Sequence, residues 1–258
     1  MSEFYKPQRT RNLFNPASDE PFKVSRSKIE NFMKCARCFY VDRRLGITPP
    51  PGFPFTLNSA VDSLLKREFD SYRKIQKAHP LMKKSKIKAV PYAHNDLELW
   101  RDSLRGGLQH LHSGTNLVIT GGLDDVWCDH DGWLIVVDYK ATSKRGKIGL
   151  DAEWQNGYKR QMEIYQWLLR QMGHRVSDTG YFVYCNGDAM APTFDQRLMF
   201  DMEILPYSGN DAWVDDYLYQ IKATLMKNEI PEPTSSCDYC AYTKTLSQIY
   251  LGKSGVQV

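Results

Sequence analysis

Long apolar runs are missing from this chain of 258 residues; none exceeds the stretch from Trp133 to Val137. A membrane-crossing helix needs about 20 apolar residues, so no such span is expected and no membrane partner. The first dozen residues, MSEFYKPQRTRN, lack an apolar signal core, which sets the expectation of a cytoplasmic protein. Internal repeats and low-complexity tracts are absent too, which excludes solenoid and linker architectures. Charge of one sign is also scarce. The 34 Lys and Arg against 30 Asp and Glu leave +4, too mild a bias to identify an anionic partner by itself.

What is present describes a globular domain. Apolar residues make up 42% and charged residues 25%, an ordinary balance that argues against disorder. A chain of this length buries roughly 70–75% of its unfolded surface and builds a core without disulfides. Six cysteines in a reducing compartment then point to metal or cluster ligation. Between Lys66 and Lys88 there are nine Lys and Arg against Glu68 and Asp70. Such a stretch suits phosphate-backbone contact, and it suits a solvated helix face and loop equally well.

Residues 1–22, with Pro7, Asn12, Asn15, Pro16 and Ser18, read as a flexible arm, leaving 23–258 as a single domain. Ser27 to Glu30 has the spacing of a capping box, and Ile29, Phe32 and Met33 follow at helical intervals. Prolines from Pro49 to Pro54 mark a loop. Helices are expected over 58–76, with Val61, Leu64, Leu65 and Phe69 as the apolar stripe, over 95–111, over 154–172 and over 211–228. Strands are expected at 117–120, 123–128, 133–140, 179–185 and 198–204. The order predicts an α/β fold with a mixed central sheet flanked by helices.

Three acids stand out. Asp124 and Asp138 lie fourteen positions apart at the ends of neighbouring expected strands joined by a short turn. Asp138 and Lys140 are two apart on one strand, so their side chains project to the same face. Two carboxylates and a lysine converging on one side suit a hard divalent cation beside a fixed positive charge. Asp62 lies on the apolar side of its helix, where a carboxylate is costly unless it is paired or binds metal; an N-terminal helix acid facing the dipole is the other reading. Gln161 and Tyr165, spaced i, i+4, share a helix face; taken alone, Tyr165 reads as core and Gln161 as surface.

Cys35 and Cys38, and Cys237 and Cys240, form two Cys-x-x-Cys pairs. Each offers two thiolates to one metal or cluster. Together they would staple residues 23–48 to 230–245, a clasp worth ~3–5 kcal/mol by analogy with a disulfide closing so long a loop. Cys128 and Cys185 fall within expected strands and read as core.

The segment Ser27–Tyr40 resembles the N-terminal helix of RecB-type nucleases of the PD-(D/E)xK superfamily. Gly122-Leu123-Asp124 with Val136–Thr142 resembles their paired-strand metal motif, and Tyr158–Tyr165 their Gln-x-x-x-Tyr helix. The resemblance runs from about residue 24 to 242. It implies a restriction-endonuclease-like core and DNA cleavage dependent on Mg²⁺ or Mn²⁺. On that match Asp124 and Asp138 ligate the ion, Lys140 is catalytic, and Gln161 and Tyr165 position the DNA or the site. Asp62 stands where many relatives carry His, and an acid there still serves as a ligand. The nearest flavour is the cluster-bearing RecB-like exonucleases, including those of CRISPR adaptation, with adaptation or repair proteins as the partners it suggests. In those relatives one cysteine comes from the N-terminal helix and three from the C-terminal segment; here the split is two and two. The resemblance favours a [4Fe–4S] cluster, with Zn²⁺ as the alternative.

Single-stranded DNA is the expected substrate: aromatic residues interleave with basic ones, Phe39 and Tyr40 with Arg43 and Arg44, and Tyr72 with Arg73 and Lys74, a pattern that suits stacking and phosphate contacts and equally a structural amphipathic surface. Lys83 and Lys84 extend the basic surface. The leading expectation is a metal-dependent exonuclease on single-stranded or frayed ends. A catalytically inactive nucleic-acid-binding or scaffolding subunit is the alternative, and a restriction-type endonuclease the third.

Overall fold

The computed structural model describes residues 8–50 and 52–252. The start of the expected arm, residues 1–7, and Pro51 of the expected loop lie outside the described residues. The chain runs β1 (Phe22–Ser25), α1 (Arg26–Lys34), α2 (Ala36–Leu45), α3 (Thr56–Lys74), α4 (Pro80–Lys84), β2 (Ala89–Pro91), α5 (Leu97–Arg101), β3 (Leu108–His112) and β4 (Leu117–Gly121). It continues with β5 (Asp125–Asp129), β6 (Leu134–Thr142), α6 (Asn156–Gln171), β7 (Thr179–Gly187), β8 (Phe200–Ser208), α7 (Val214–Leu225) and α8 (Asp238–Tyr250). A short 3₁₀ turn, Glu153–Gln155, leads into α6. No helix among the described residues is long and apolar enough to cross a membrane.

The chain divides into two compact units. One takes in the described parts of Met1–Phe53, Leu111–Val118 and Asp215–Val258, the other Pro54–His110 and Ile119–Val214. In the first, Ile29 and Phe32 of α1, Phe39 and Tyr40 of α2, and Leu218, Ile221 and Leu225 of α7 are buried. Phe32 meets Phe39 edge-on at 5.3 Å, and the Tyr40 hydroxyl donates to the Lys227 carbonyl at 2.8 Å. Phe14, within the expected arm, is buried.

The second unit is built on the expected mixed sheet, in the order β2-β5-β6-β7-β8. β6 pairs antiparallel with β5 and parallel with β7, and β7 antiparallel with β8. The period-2 pattern of β6 explains its two faces. Ile135, Val137 and Tyr139 pack with Val61, Leu65 and Phe69 of α3 and with Trp127 of β5. Phe69 stacks on Trp127 at 5.5 Å. The alternate residues, Asp138 and Lys140, face Gln161 and Tyr158 of α6. The two helices therefore cover opposite faces of the sheet.

Several local expectations are corrected. The helix expected over 95–111 is only the short α5 followed by β3. Gly107 sits at φ +75°, where a helix cannot continue, and the backbone turns there into a strand. No capping box forms at Ser27. The helix starts one residue earlier with extended Ser25 at the cap, so Ser27 already lies in the first turn. β8 occupies 200–208 rather than 198–204, because its second half pairs with the start of β7. The expected helix at 211–228 shortens to α7, and α8 was not anticipated.

Fully buried Asp125 ties this unit together. It accepts from Arg73, from Arg101 at 3.1 Å and from the Tyr139 hydroxyl at 2.7 Å. Asp70 bridges the same two arginines from the partly exposed side, at 2.7 and 3.0 Å. These contacts fasten α3 and α5 to β5 directly after Asp124. Asp125→Ala leaves two buried guanidinium groups short of an anion and is expected to cost about 3–5 kcal/mol in urea unfolding. A loss below 1 kcal/mol would show the network to be dispensable.

Candidate metal centres

Asp124 is presented at the entry to β5, where its Oδ2 accepts from the Tyr139 backbone N–H at 2.9 Å. Asp138 is fully buried on β6. Its Oδ1 accepts from Gln161 Nε2 at 2.8 Å, and the Lys140 ammonium lies against its Oδ2. The Gln161 amide also donates to the Tyr165 hydroxyl at 3.2 Å. Both α6 residues are buried, so Gln161 is not the surface residue that its sequence position alone suggests. Gly121 allows the Tyr165 ring this close: a Cβ there would come within 2.6 Å of a ring carbon. The Lys140 ammonium sits 4.3 Å from the centre of the Tyr158 ring.

Asp62 joins the group through a residue the sequence reading missed. Lys66 lies 2.8 Å from Asp62 and 3.6 Å from Asp124, bridging the two carboxylates. The i, i+4 spacing of Asp62 and Lys66 was the available signal.

The electrostatics fit a cation. Burial pushes the Asp138 carboxyl up; Lys140 pulls it down, Asp124 pushes it up again, and it stands at about 7. Burial also raises Asp62, opposed by Lys66 and reinforced by Asp124. Burial lowers Lys140, but Asp138 and Asp124 more than compensate and raise it. Carboxylates held this close favour each other's protonated form, and a divalent ion relieves that repulsion.

A pH dependence follows for metal-free protein. Between about 3.8, the ordinary carboxyl value, and about 7, the folded state keeps a proton on Asp138 that the unfolded chain has released. Stability therefore falls as pH rises through this window. Urea unfolding in EDTA at pH 4.5 and 7.5 should show that fall against the Asp138→Asn variant; parallel profiles for the two proteins would refute it.

The four cysteines meet within the first unit. Cys38 Sγ lies 3.5 Å from both Cys237 and Cys240, and Cys35 Sγ 3.8 Å from Cys240. Among the described residues they are the one set of three or more metal-ligating side chains whose ligand atoms all lie within 4.8 Å of one another. Asp62, Asp124 and Asp138 do not form such a set. Burial pushes Cys35 up, but backbone hydrogen bonds from Cys38 and Thr234 and the neighbouring thiols bring it down to about 6. Burial and the neighbouring sulfurs raise Cys38, and burial raises Cys240 to about 11. One thiolate forms readily and the next ones are opposed, a mutual opposition that a cation shared by the four sulfurs would relieve. Cys128 and Cys185 stand apart from it.

The six basic residues expected to contact nucleic acid separate into two groups. Lys74, Lys83 and Lys84 are exposed and Arg44 is half-buried. Arg43 and Arg73 are buried in internal contacts. Arg43 donates to the Lys23 carbonyl and lies over the Phe22 ring, and Arg73 is held by Asp125 and Asp70. Their spacing beside aromatic residues reflected core packing of the arginine stems, not a free cationic surface.

The second unit thus combines a mixed sheet, paired carboxylates, a lysine two residues on, and a glutamine from the following helix. The sequence profile of the PD-(D/E)XK nuclease superfamily matches residues 56–245, and the chain belongs to that superfamily. Its members are generally nucleases that use divalent metals. Among curated proteins none matches the chain.

Proposed function

We propose that the protein is a divalent-metal-dependent deoxyribonuclease, acting as an exonuclease on single-stranded or frayed DNA ends. The observation that carries this reading is the convergence of Asp124, Asp138, Lys140 and Gln161 at one end of β5 and β6. Asp124 and Asp138 would hold Mg²⁺ or Mn²⁺, with Asp62 as a further ligand once Lys66 gives way. Such an ion polarises a phosphate and acidifies a bound water. Lys140 keeps a positive charge beside the scissile phosphate, and the Tyr158 ring beneath its ammonium restricts where that charge can go. Gln161 orients Asp138, and Tyr165 orients Gln161. End processing in CRISPR adaptation or repair is the setting this activity suits.

For the cysteine site the sulfur separations favour a single ion. Ligands about 2.3 Å from a tetrahedral zinc lie ~3.8 Å from one another; three of the six sulfur separations here are 3.5–3.8 Å, and all four ligand atoms lie within 4.8 Å of one another. A four-iron cluster gives each thiolate its own iron and spreads the sulfurs wider. Zn²⁺, the alternative in the sequence reading, is therefore placed ahead of [4Fe–4S].

End-labelled single- and double-stranded DNA, incubated with the protein in Mg²⁺, Mn²⁺ or EDTA, tests the nuclease reading. Metal-dependent shortening from the ends supports it. Tight binding with no cleavage in either metal overturns it in favour of a scaffolding subunit.

A further inference from the structure

Trp154 is 65% exposed, an unusual place for the largest apolar side chain, yet it sits on a fixed piece of backbone. Its neighbour Gln155 is buried; the Gln155 side chain donates to the Gly149 carbonyl at 2.6 Å and accepts from the Ala152 N–H at 3.0 Å. The 3₁₀ turn carrying Trp154 is thus held by internal hydrogen bonds. The indole meets the Tyr158 ring edge-on at 5.5 Å, and Tyr158 is the ring beneath the Lys140 ammonium. Trp154 is therefore two contacts from the site lysine.

The segment that joins β6 to this turn supplies charge. Lys144, Arg145 and Lys147 are all exposed within a few residues of Lys140. The loop is not loose at its start. The Lys144 N–H donates to Asn186 Oδ1 at 2.8 Å, and the Asn186 amide donates back to the Lys144 carbonyl at 3.0 Å. A cavity of about 460 Å³ opens along it, lined in part by Lys144, Lys147, Leu150 and Asp151. Asp151 and Glu153 are the acids on this stretch, outnumbered by the three loop cations.

We propose that Trp154 is a substrate-binding residue on which an unpaired base stacks, while Lys144, Arg145 and Lys147 follow the adjoining phosphates. The inference rests on the nuclease reading of the same site and assigns the residues that would select its substrate, single-stranded DNA or a strand end frayed by at least one base. The indole face is closed to a base inside a duplex, because that base is already stacked on its neighbours. Stacking on an aromatic side chain is sequence-tolerant, so no base preference is expected.

The test is binding, which does not require turnover. Titrating a fluorescein-labelled twelve-residue oligothymidylate into the protein in EDTA should quench tryptophan fluorescence. Trp154→Ala should weaken binding about ten- to hundredfold and remove most of the quench, whereas Trp154→Phe should retain most of the affinity. A blunt twelve-base-pair duplex should bind the two proteins alike. Replacing Lys144, Arg145 and Lys147 together by alanine should lower the slope of log affinity against log salt by about 2. Unchanged oligonucleotide affinity in Trp154→Ala, or no binding by the unmutated protein, overturns the inference. Hydrolysis of bis(4-nitrophenyl) phosphate, which offers no base, separates the two readings. If Trp154→Ala loses binding while the unmutated protein hydrolyses neither that diester nor DNA, the nuclease reading fails and the stacking role stands.

Discussion

Lys140→Ala is expected to lower DNA cleavage by about two to three orders of magnitude while leaving a folded protein. The size is that of removing one preorganised charge from a reacting phosphate, the role proposed for Lys140. The fold survives because the carboxyl left behind, Asp138, already stands at about 7 and can take a proton once its counter-ion is gone. That compensation has a signature. With Lys140 absent, Asp138 holds its proton more tightly, so divalent-ion binding must displace it. Apparent Mg²⁺ affinity should fall at pH 6 and recover by pH 8.5, whereas the turnover rate should not recover at any pH. Isothermal titration with Mg²⁺ and single-turnover cleavage, each run at both pH values, read the two effects separately. A turnover rate that returns with pH would make Lys140 an electrostatic partner of Asp138 and nothing more.

The second large effect is expected at the cysteine site. α8 has no buried residue, so it cannot be held by a core of its own. Cys237 and Cys240, at its N-terminus, bring it to Cys35 and Cys38. Replacing Cys237 and Cys240 together by alanine should abolish bound metal and cost ~3–5 kcal/mol, the value of a cross-link closing so long a loop. It should also open residues 229–250 to protease. Elemental analysis should give one zinc per unmutated chain and none in the double variant. Cys128→Ala should retain the metal, since its sulfur is outside the set. A double variant that keeps its metal, or an α8 that stays protected without it, would refute the clasp. Several irons and sulfides per chain would instead return the assignment to a cluster.

Much of the carboxylate site is legible in the sequence because it depends on short-range periodicity. Asp138 and Lys140 share a face by the alternation of a strand, and Gln161 and Tyr165 by the turn of a helix. The helix expected over 95–111 shows where periodicity misleads. Its apolar spacing served first a five-residue helix and then, past Gly107, a strand, and one positive backbone angle separates the two. The arginines show a different gap. Arg73 and Lys74 are neighbours in a basic stretch and look alike in sequence, yet one is buried against Asp125 and the other faces solvent.

The sequence alone determined the chemistry on offer: two aspartates, a lysine at the right alternation, and two thiolate pairs. Those follow from residue type and local spacing, which the backbone geometry of strands and helices fixes. Tertiary structure alone decided which charges neutralise one another. Lys66 became the bridge between Asp62 and Asp124, Asp125 became a structural anchor beside a candidate ligand, and four sulfurs far apart in the chain came within reach of one ion. Each depends on a contact between distant segments, and Coulomb interaction and desolvation act on distance in space, which spacing along the chain does not encode.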